Sequence, residues 1–416
     1  MINAEILYRL FECKEGFELP DKIIDLYINN RQKLENIANE LSERLDLNDK
    51  DSDLFLEYFQ TEHSDRKTLK QDYTPGEISK LIYKLVKRDG LVLDLCAGTG
   101  SLSIPWLIDA NSKERIMEFR EYSKRATAFL LLNLIIRKAN ATVRQMDVLT
   151  GECFQVLEVG SPPNIKRKFD VIISNPPYSQ NWSPVSLIDG LKTPPKSKAD
   201  YAFIIRGLEN LNDDGVMVMV LPHGVLFRGN AEGEIRKWLL EKGYIEAVIG
   251  LPDSMFQNTG IPVCLVIFRK NRKDKNVLFI DASREFVKIN KFNKLEEKHI
   301  DKIDSVYKNK FEVEKYSHIA SYEEIKKNNF NLNIPRYVDT SEKEECEPLD
   351  VAMADLLAIQ TDIVKTQGKF ISMMKELCGN SNEVQHELNK AVEFLNDSQK
   401  VEVNMLESVV KEFSKC

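Results

Sequence analysis

Two short stretches of this 416-residue chain carry residue types that can do chemistry. The first is Asn175-Pro176-Pro177-Tyr178, directly after the apolar run 169–174. An Asn carboxamide oxygen and the carbonyl of the next residue are two acceptors, matched to a planar amino group with two hydrogens. The two prolines stiffen the turn and take no part in a strand ladder. Tyr178 adds a flat face on which an extruded planar ring can stack. The plainer reading is a proline-stiffened loop whose Asn caps a turn. The second stretch is Leu93-Asp94-Leu95-Cys96-Ala97-Gly98-Thr99-Gly100. Gly98 and Gly100 let a ligand approach the backbone closely, and the loop offers free amides. The third glycine of a dinucleotide fingerprint is missing, because Ser103 stands in its place. Asp94 ahead of the glycines repels phosphate and suits a cationic or amino-bearing cofactor. Taken alone, this loop leaves a tight turn without a ligand as the alternative.

The elements that must position these stretches are legible in outline. Short apolar runs at 91–95, 169–174, 215–221, 244–250 and 262–269 alternate with helical patterns such as 124–138 and 233–242. That alternation predicts an α/β fold, an open and mostly parallel doubly wound sheet. The runs 244–250 and 262–269 have no helical pattern between them, which predicts an antiparallel strand closing the sheet. Residues 1–70 read as a polar helical region, with Ile23, Ile24, Tyr27, Leu34, Ile37 and Leu41 at helical spacing. Residues 341–416 read as a helical hairpin. Leu356, Ile359, Ile363, Thr366, Phe370, Met373 and Leu377 alternate by threes and fours over about three heptads, before a turn at Gly379-Asn380-Ser381-Asn382. The hairpin packs either on its own catalytic domain or on another subunit.

Charge narrows the partners. The net charge of −7 speaks against a nucleic-acid binder, but it is unevenly spread. Residues 71–340 hold 40 basic and 34 acidic residues, net +6, between acidic ends of −6 (1–70) and −7 (341–416). Seven dispersed cysteines without zinc spacing fit a reducing cytoplasm rather than a disulfide scaffold or metal site. The N-terminus has no signal-peptide pattern. The longest apolar run, 129–136, is interrupted by Asn133 and is far too short to span a bilayer.

With these residues in view, the chain resembles the methylation (M) subunit of type I restriction–modification systems over about 65–340, within the N6-adenine DNA methyltransferases. Asp94–Gly100 looks like the S-adenosylmethionine loop of Rossmann-like methyltransferases, and Asn175–Tyr178 like the catalytic tetrapeptide of amino-group methyltransferases, chiefly the N6-adenine DNA enzymes. Tyr73-Thr74-Pro75 matches the element ahead of the cofactor loop. Further matches run through 221–229, 231–236, 250–252, 259–262, 279–283 and 331–338. The resemblance implies a mostly parallel seven-stranded sheet. It also implies the domain divisions 1–70 (helical region), 71–340 (methyltransferase) and 341–416 (docking hairpin). Asn175, Pro176, Pro177 and Tyr178 would be catalytic; Tyr73, Thr74, Pro75, Asp94, Ala97, Gly98, Thr99, Gly100, Glu121 and Asp147 would bind S-adenosylmethionine. Glu121 is the ribose acid, Asp147 lies near the cofactor adenine, and Asp94, Thr74 and Pro75 lie at the methionine end. Leu95, where the family often has Pro, and Thr99, where Ser is expected, are mild departures, and the region before Tyr73 is shorter than usual. The implied reaction is methyl transfer to N6 of a flipped adenine, with no metal. The implied partners are DNA, a specificity (S) subunit flanked by two M subunits and, in some complexes, a restriction (R) subunit. A glutamine N5-methyltransferase of protein and a non-catalytic assembly subunit are the alternatives. The absence of a Pro-Cys pair counts against cytosine C5 chemistry.

Overall fold

Val92, Leu93 and Asp94 are fully buried because their strand, β1 (Val92–Asp94), has a parallel neighbour on each side and cover on both faces. The flanking strands are β2 (Met117–Glu121) and, on the other side, β5 (Phe169–Ser174). Beyond β2 lie β3 (Ala141–Met146) and β4 (Cys153–Val159); beyond β5 lies β6 (Leu211–Pro222). The sheet continues through β8 (Val263–Arg269), β7 (Ile245–Gly250), β9 (Val277–Asp281) and β12 (Ser317–Ala320). A separate hairpin pairs β10 (Val287–Ile289) with β11 (Phe292–Lys294). The computed structural model describes residues 4–44, 52–63, 74–109, 116–164, 167–256, 260–340 and 349–413, which fall in two units, Met1–Thr340 and Ser341–Cys416.

The sheet order is β12-β9-β7-β8-β6-β5-β1-β2-β3-β4. β4, β8 and β12 oppose the direction shared by the others. The antiparallel strand expected after 244–250 is β8. The count of seven is corrected to ten among the described residues: β3-β2-β1-β5-β6-β8-β7 form the inner seven, and β4, β9 and β12 extend both ends. Two of these additions, β4 and β12, have weak signals. β4 is largely exposed and mixed in polarity, and β12 has only four residues. Chain order reverses at β1, between β2 and β5, so a crevice opens at the carboxyl ends of those strands.

Helices cover the faces. α1 (Ala4–Phe11), α2 (Leu19–Asn29), α3 (Arg31–Glu43) and α4 (Leu56–Glu62) precede α5 (Gly76–Val86) and α6 (Ile104–Ile108). α7 (Lys124–Ile136) follows β2, capped by Ser123, whose side chain accepts from the Ala126 amide at 3.3 Å. Beyond its exposed first residues, Lys124 and Arg125, α7 is buried on nearly all sides, with Phe129, Leu130, Leu131, Leu132 and Leu134 fully buried. Such a helix needs a second layer over it. α2, α3 and α4 supply that layer, so residues on either side of position 71 share one hydrophobic core. α8 (Asp200–Asn210), α9 (Asn230–Glu241), α10 (Glu297–Asn309) and α11 (Tyr322–Lys327) complete this unit.

In the second unit α12 (Leu349–Glu376) and α13 (Asn382–Phe413), of 28 and 32 residues, form a hairpin longer than the three heptads read from spacing. The apolar repeat covers only part of α12, which begins before it. Gln399 on α13 donates to the Val364 carbonyl at 2.8 Å. Ile359, Ile363, Phe370, Met373 and Leu377 remain exposed. No helix among the described residues is long and apolar enough to cross a membrane.

Candidate active site

The loop after β1 is stitched to both neighbouring strands: the Leu95 amide donates to Ile173 and the Ala97 amide to Arg120, each at 3.0 Å. Gly98 and Gly100 have φ of 58° and 96°, where a side chain is strained. A Cβ on Gly100 would also lie 2.9 Å from Leu130 of α7. Glu121, at the end of β2, completes the loop from the other side. Its Oε2 accepts from the Gly98 amide at 2.8 Å and its Oε1 from the Ser123 amide at 2.7 Å. Burial pushes the Glu121 carboxyl up, and these amides pull it back. Asp94 is fully buried, with Oδ2 accepting from the Ser103 hydroxyl at 2.6 Å. Burial, partly offset by Ser103 and reinforced by Glu121, pushes Asp94 up to about 7. Its Oδ1 is buried and makes no hydrogen bond, although the Cys96 amide is near enough to favour the charged form.

A cavity of about 530 Å³ opens over these strand ends. Thr74, Ala97, Gly98, Glu121, Asp147, Asn175, Pro176, Pro177 and Tyr178 all line it. The structure therefore brings together residues that span more than a hundred positions of sequence. Pro75, Asp94, Thr99 and Gly100 are not in its wall. Asp94 lies beneath the loop, Gly100 shapes it, and the Thr99 hydroxyl turns to Asp53. Tyr73 lies outside the described residues. Asp147 holds its own turn, with Oδ1 accepting from the Leu149 amide at 2.8 Å. The wall also includes Leu95, Met146, Val148 and Phe203, which make it apolar, and Arg120, Tyr122, Trp182 and Lys196, which no motif marked.

Asn175 leaves the end of β5 with both ends of its carboxamide engaged. Its Nδ2 donates to Thr74 Oγ1 at 3.0 Å, and the Tyr178 hydroxyl donates to its Oδ1 at 2.8 Å. The Tyr178 ring sits edge-on to Phe256, with centroids 6.3 Å apart. The chain then turns sharply at Ser179, φ 49°, whose amide donates to Asp200 Oδ1 at 2.9 Å. Arg228 joins the buried Asp200 and Glu232 at 2.5 and 2.6 Å. The Phe227-Arg228-Gly229 stretch thus braces the turn from behind. Sequence reading registered it as a resemblance and missed this role, because Asp200 carries no motif of its own.

A family model described as N-6 DNA Methylase matches residues 51–346. The chain belongs to the N-6 DNA methylase family. One relative of this chain is the type I restriction enzyme MpnII methylase subunit of Mycoplasma pneumoniae, 32% identical over 66% of this chain and 54% of that one. Among solved structures, a type I restriction-modification system methyltransferase subunit from Streptococcus thermophilus matches with a TM-score of 0.60 and 37% identity, covering 70% of this chain and 63% of the other. A putative class I S-adenosylmethionine-dependent methyltransferase from Listeria monocytogenes shares the fold, with a TM-score of 0.50 and 17% identity over 74% of this chain and 95% of that one. The chain spans about half the length of the curated relatives it matches. Its fold is the Rossmann-like methyltransferase fold, with the helical C-terminal hairpin as a second unit.

Proposed function

We propose that this chain transfers a methyl group from S-adenosylmethionine to the exocyclic N6 of a flipped adenine in DNA, as the modification subunit of a type I restriction–modification complex. One observation carries the reading: the Asn175–Tyr178 turn and the acids Glu121 and Asp147 open onto a single cavity. That cavity fits the cofactor. Its polar groups include two carboxylates, with the buried, unpaired Oδ1 of Asp94 beneath the loop. Hydroxyls, an amino group and a cation suit such a site, whereas a phosphate does not. Glu121 would hold the ribose, Asp147 the cofactor adenine side, and Asp94, Thr74 and Pro75 the methionine end. We place catalysis in 71–340, with the helices of 1–70 seated on its core.

When bound, S-adenosylmethionine supplies a methyl group already activated on a sulfonium. The chain's own task is to position the nucleophile. The lone pair of N6 is conjugated with the adenine ring. Asn175 Oδ1 and the Pro176 carbonyl accept the two N6 hydrogens, which favours a pyramidal nitrogen with its lone pair free. Oδ1 has two lone-pair sites, so it can keep the Tyr178 hydroxyl while accepting from N6. The Tyr178 ring offers the stacking face for a base taken out of the duplex. No strong base is needed for a direct displacement.

The charge distribution fits a catalytic subunit that borrows its grip on DNA. A net of +6 over 71–340 is small beside the many phosphate contacts of a stand-alone binder. The partner is a specificity subunit flanked by two copies of this chain, with the exposed apolar positions of α12 docking on its helices. The five described cysteines are all free thiols, which fits action in the cytoplasm. Co-expression with a specificity subunit, followed by mapping of N6-methyladenine in DNA, tests the reading. Label appearing in a protein amide instead of DNA overturns it.

A further inference from the structure

The glycine loop is also held from outside the sheet, by Asp53, which lies ahead of α4. Asp53 Oδ2 accepts from the hydroxyls of Thr99 and Ser101, the latter at 2.5 Å, and Oδ1 accepts from Asn133 Nδ2 of α7 at 2.7 Å. Asn133 donates in turn to the Thr99 carbonyl at 2.9 Å. On its own side Asp53 caps the Phe55 amide at 3.1 Å. Phe55 and Phe59 pack on Phe129 of α7, with ring centroids 5.7 and 5.4 Å apart. A carboxylate only accepts, so three side-chain donors converging on it have no alternative arrangement there, and bonds to its charge are the strong kind. Thr99 sits between the two glycines of positive φ, and Ser101 lines the cavity.

We propose that Asp53 is a positioning residue for the cofactor, fixing the glycine loop through Thr99 and Ser101 so that seating of the N-terminal helices on α7 becomes a condition of tight S-adenosylmethionine binding. This rests on the methyltransferase reading above. It gives residues 1–70 a part in the cofactor site that their sequence does not announce. The one polar residue in the apolar run Phe129–Ile136, Asn133, becomes the joint between the two layers.

The test uses the full chain. S-adenosylmethionine affinity is measured by calorimetry for the wild type, Asp53→Ala, Asp53→Asn, Thr99→Val and the Asp53→Ala/Thr99→Val double variant, and hydrogen exchange is followed over 95–103 and over β7–β9. Asp53→Ala is expected to raise Kd about tenfold or more and to speed exchange over 95–103 while β7–β9 keep their protection. Asp53→Asn recovers part of the affinity, because the Thr99 and Ser101 hydroxyls can accept as well as donate. Adding Thr99→Val to Asp53→Ala costs little more, since the two act through one contact. Additive losses, or wild-type affinity in Asp53→Ala, overturn the proposal. Should Asp53→Ala fail to fold, Asp53→Asn and Thr99→Val must each weaken binding several-fold, and wild-type affinity in both overturns it. Failure of the wild-type chain to bind S-adenosylmethionine rejects the methyltransferase reading itself; wild-type binding with indifference to Asp53 rejects only this role.

Discussion

On the cofactor side of the cavity, carboxylates hold the loop: Glu121 takes the Gly98 amide, and Asp53 takes the Thr99 and Ser101 hydroxyls. On the turn side, the Asn175 carboxamide is held by neutral hydroxyls, those of Thr74 and Tyr178. Hydrogen bonds to a charge contribute about 1.5–3 kcal/mol, against about 0.5–1.5 kcal/mol between neutral groups. The cofactor side is therefore built before its ligand arrives. The turn side keeps its acceptor aimed by bonds weak enough to be shared with an incoming amino group. Binding and catalysis should separate along this line when each side is mutated.

The largest separation is expected at Asn175. Asn175→Ala removes an acceptor that matters most as charge develops on N6, and transfer should fall by about 10²–10³-fold or more. Cofactor affinity should stay near wild type, because the loop retains its carboxylates. Parallel loss of methyl transfer and of calorimetric affinity would break the comparison. Glu121→Ala should do the reverse, raising the cofactor Kd by about 10–100-fold, while kcat at saturating cofactor changes little. Initial rates over a cofactor titration distinguish the two patterns. A fall in kcat with unchanged KM would remove Glu121 from the ribose. Tyr178 divides its effect between ring and hydroxyl. Tyr178→Phe loses one neutral bond and should cost kcat about 2–10-fold. Tyr178→Ala also loses the stacking face and should raise the KM for DNA, at about 1–3 kcal/mol per stacked base.

The same contrast explains what could be read in the sequence. Both chemical stretches were legible because each is local: a strand end, a glycine pair, an Asn followed by two prolines. Five strands of the inner sheet, β1, β5, β6, β7 and β8, were legible because a strand buried on both faces is a continuous apolar run, whereas β2 and β3 are mixed in polarity. β4 and β12 carry no such run, so the sheet is wider than its sequence pattern indicated. The buried supports were not legible, because they are distant pairings. Asn133 was visible as a polar break in an apolar helix, but Asp53 lies 80 positions away in a region read only as polar and helical. Arg228 was seen as part of a motif, yet its meaning depends on Asp200, 28 positions earlier. The apolar repeat of α12 was visible at once, and what covers it depends on a surface outside the periodicity itself.

A pH dependence sharpens the comparison at Asp94. Burial pushes this carboxyl up to about 7, with Ser103 opposing and Glu121 adding to the shift. In the unfolded chain it titrates near its ordinary value of about 3.9. Between those values the folded protein holds a proton that the unfolded chain has lost. The Asp94 contribution to stability is therefore present below about pH 4, declines as pH rises, and is flat above about pH 7. A cation seated above the loop has the opposite preference, because it favours the ionised carboxylate. Cofactor affinity should thus strengthen as pH rises toward about 7 and then level off, over the same interval in which the cofactor-free protein loses stability. Asp94→Asn cannot titrate and should flatten both curves together. Urea unfolding and calorimetric titration between about pH 5 and pH 8 measure the two slopes. Loss of the stability slope alone, with the affinity curve unchanged, would leave Asp94 a buried support of the Ser103 turn and move the cation elsewhere along the cavity.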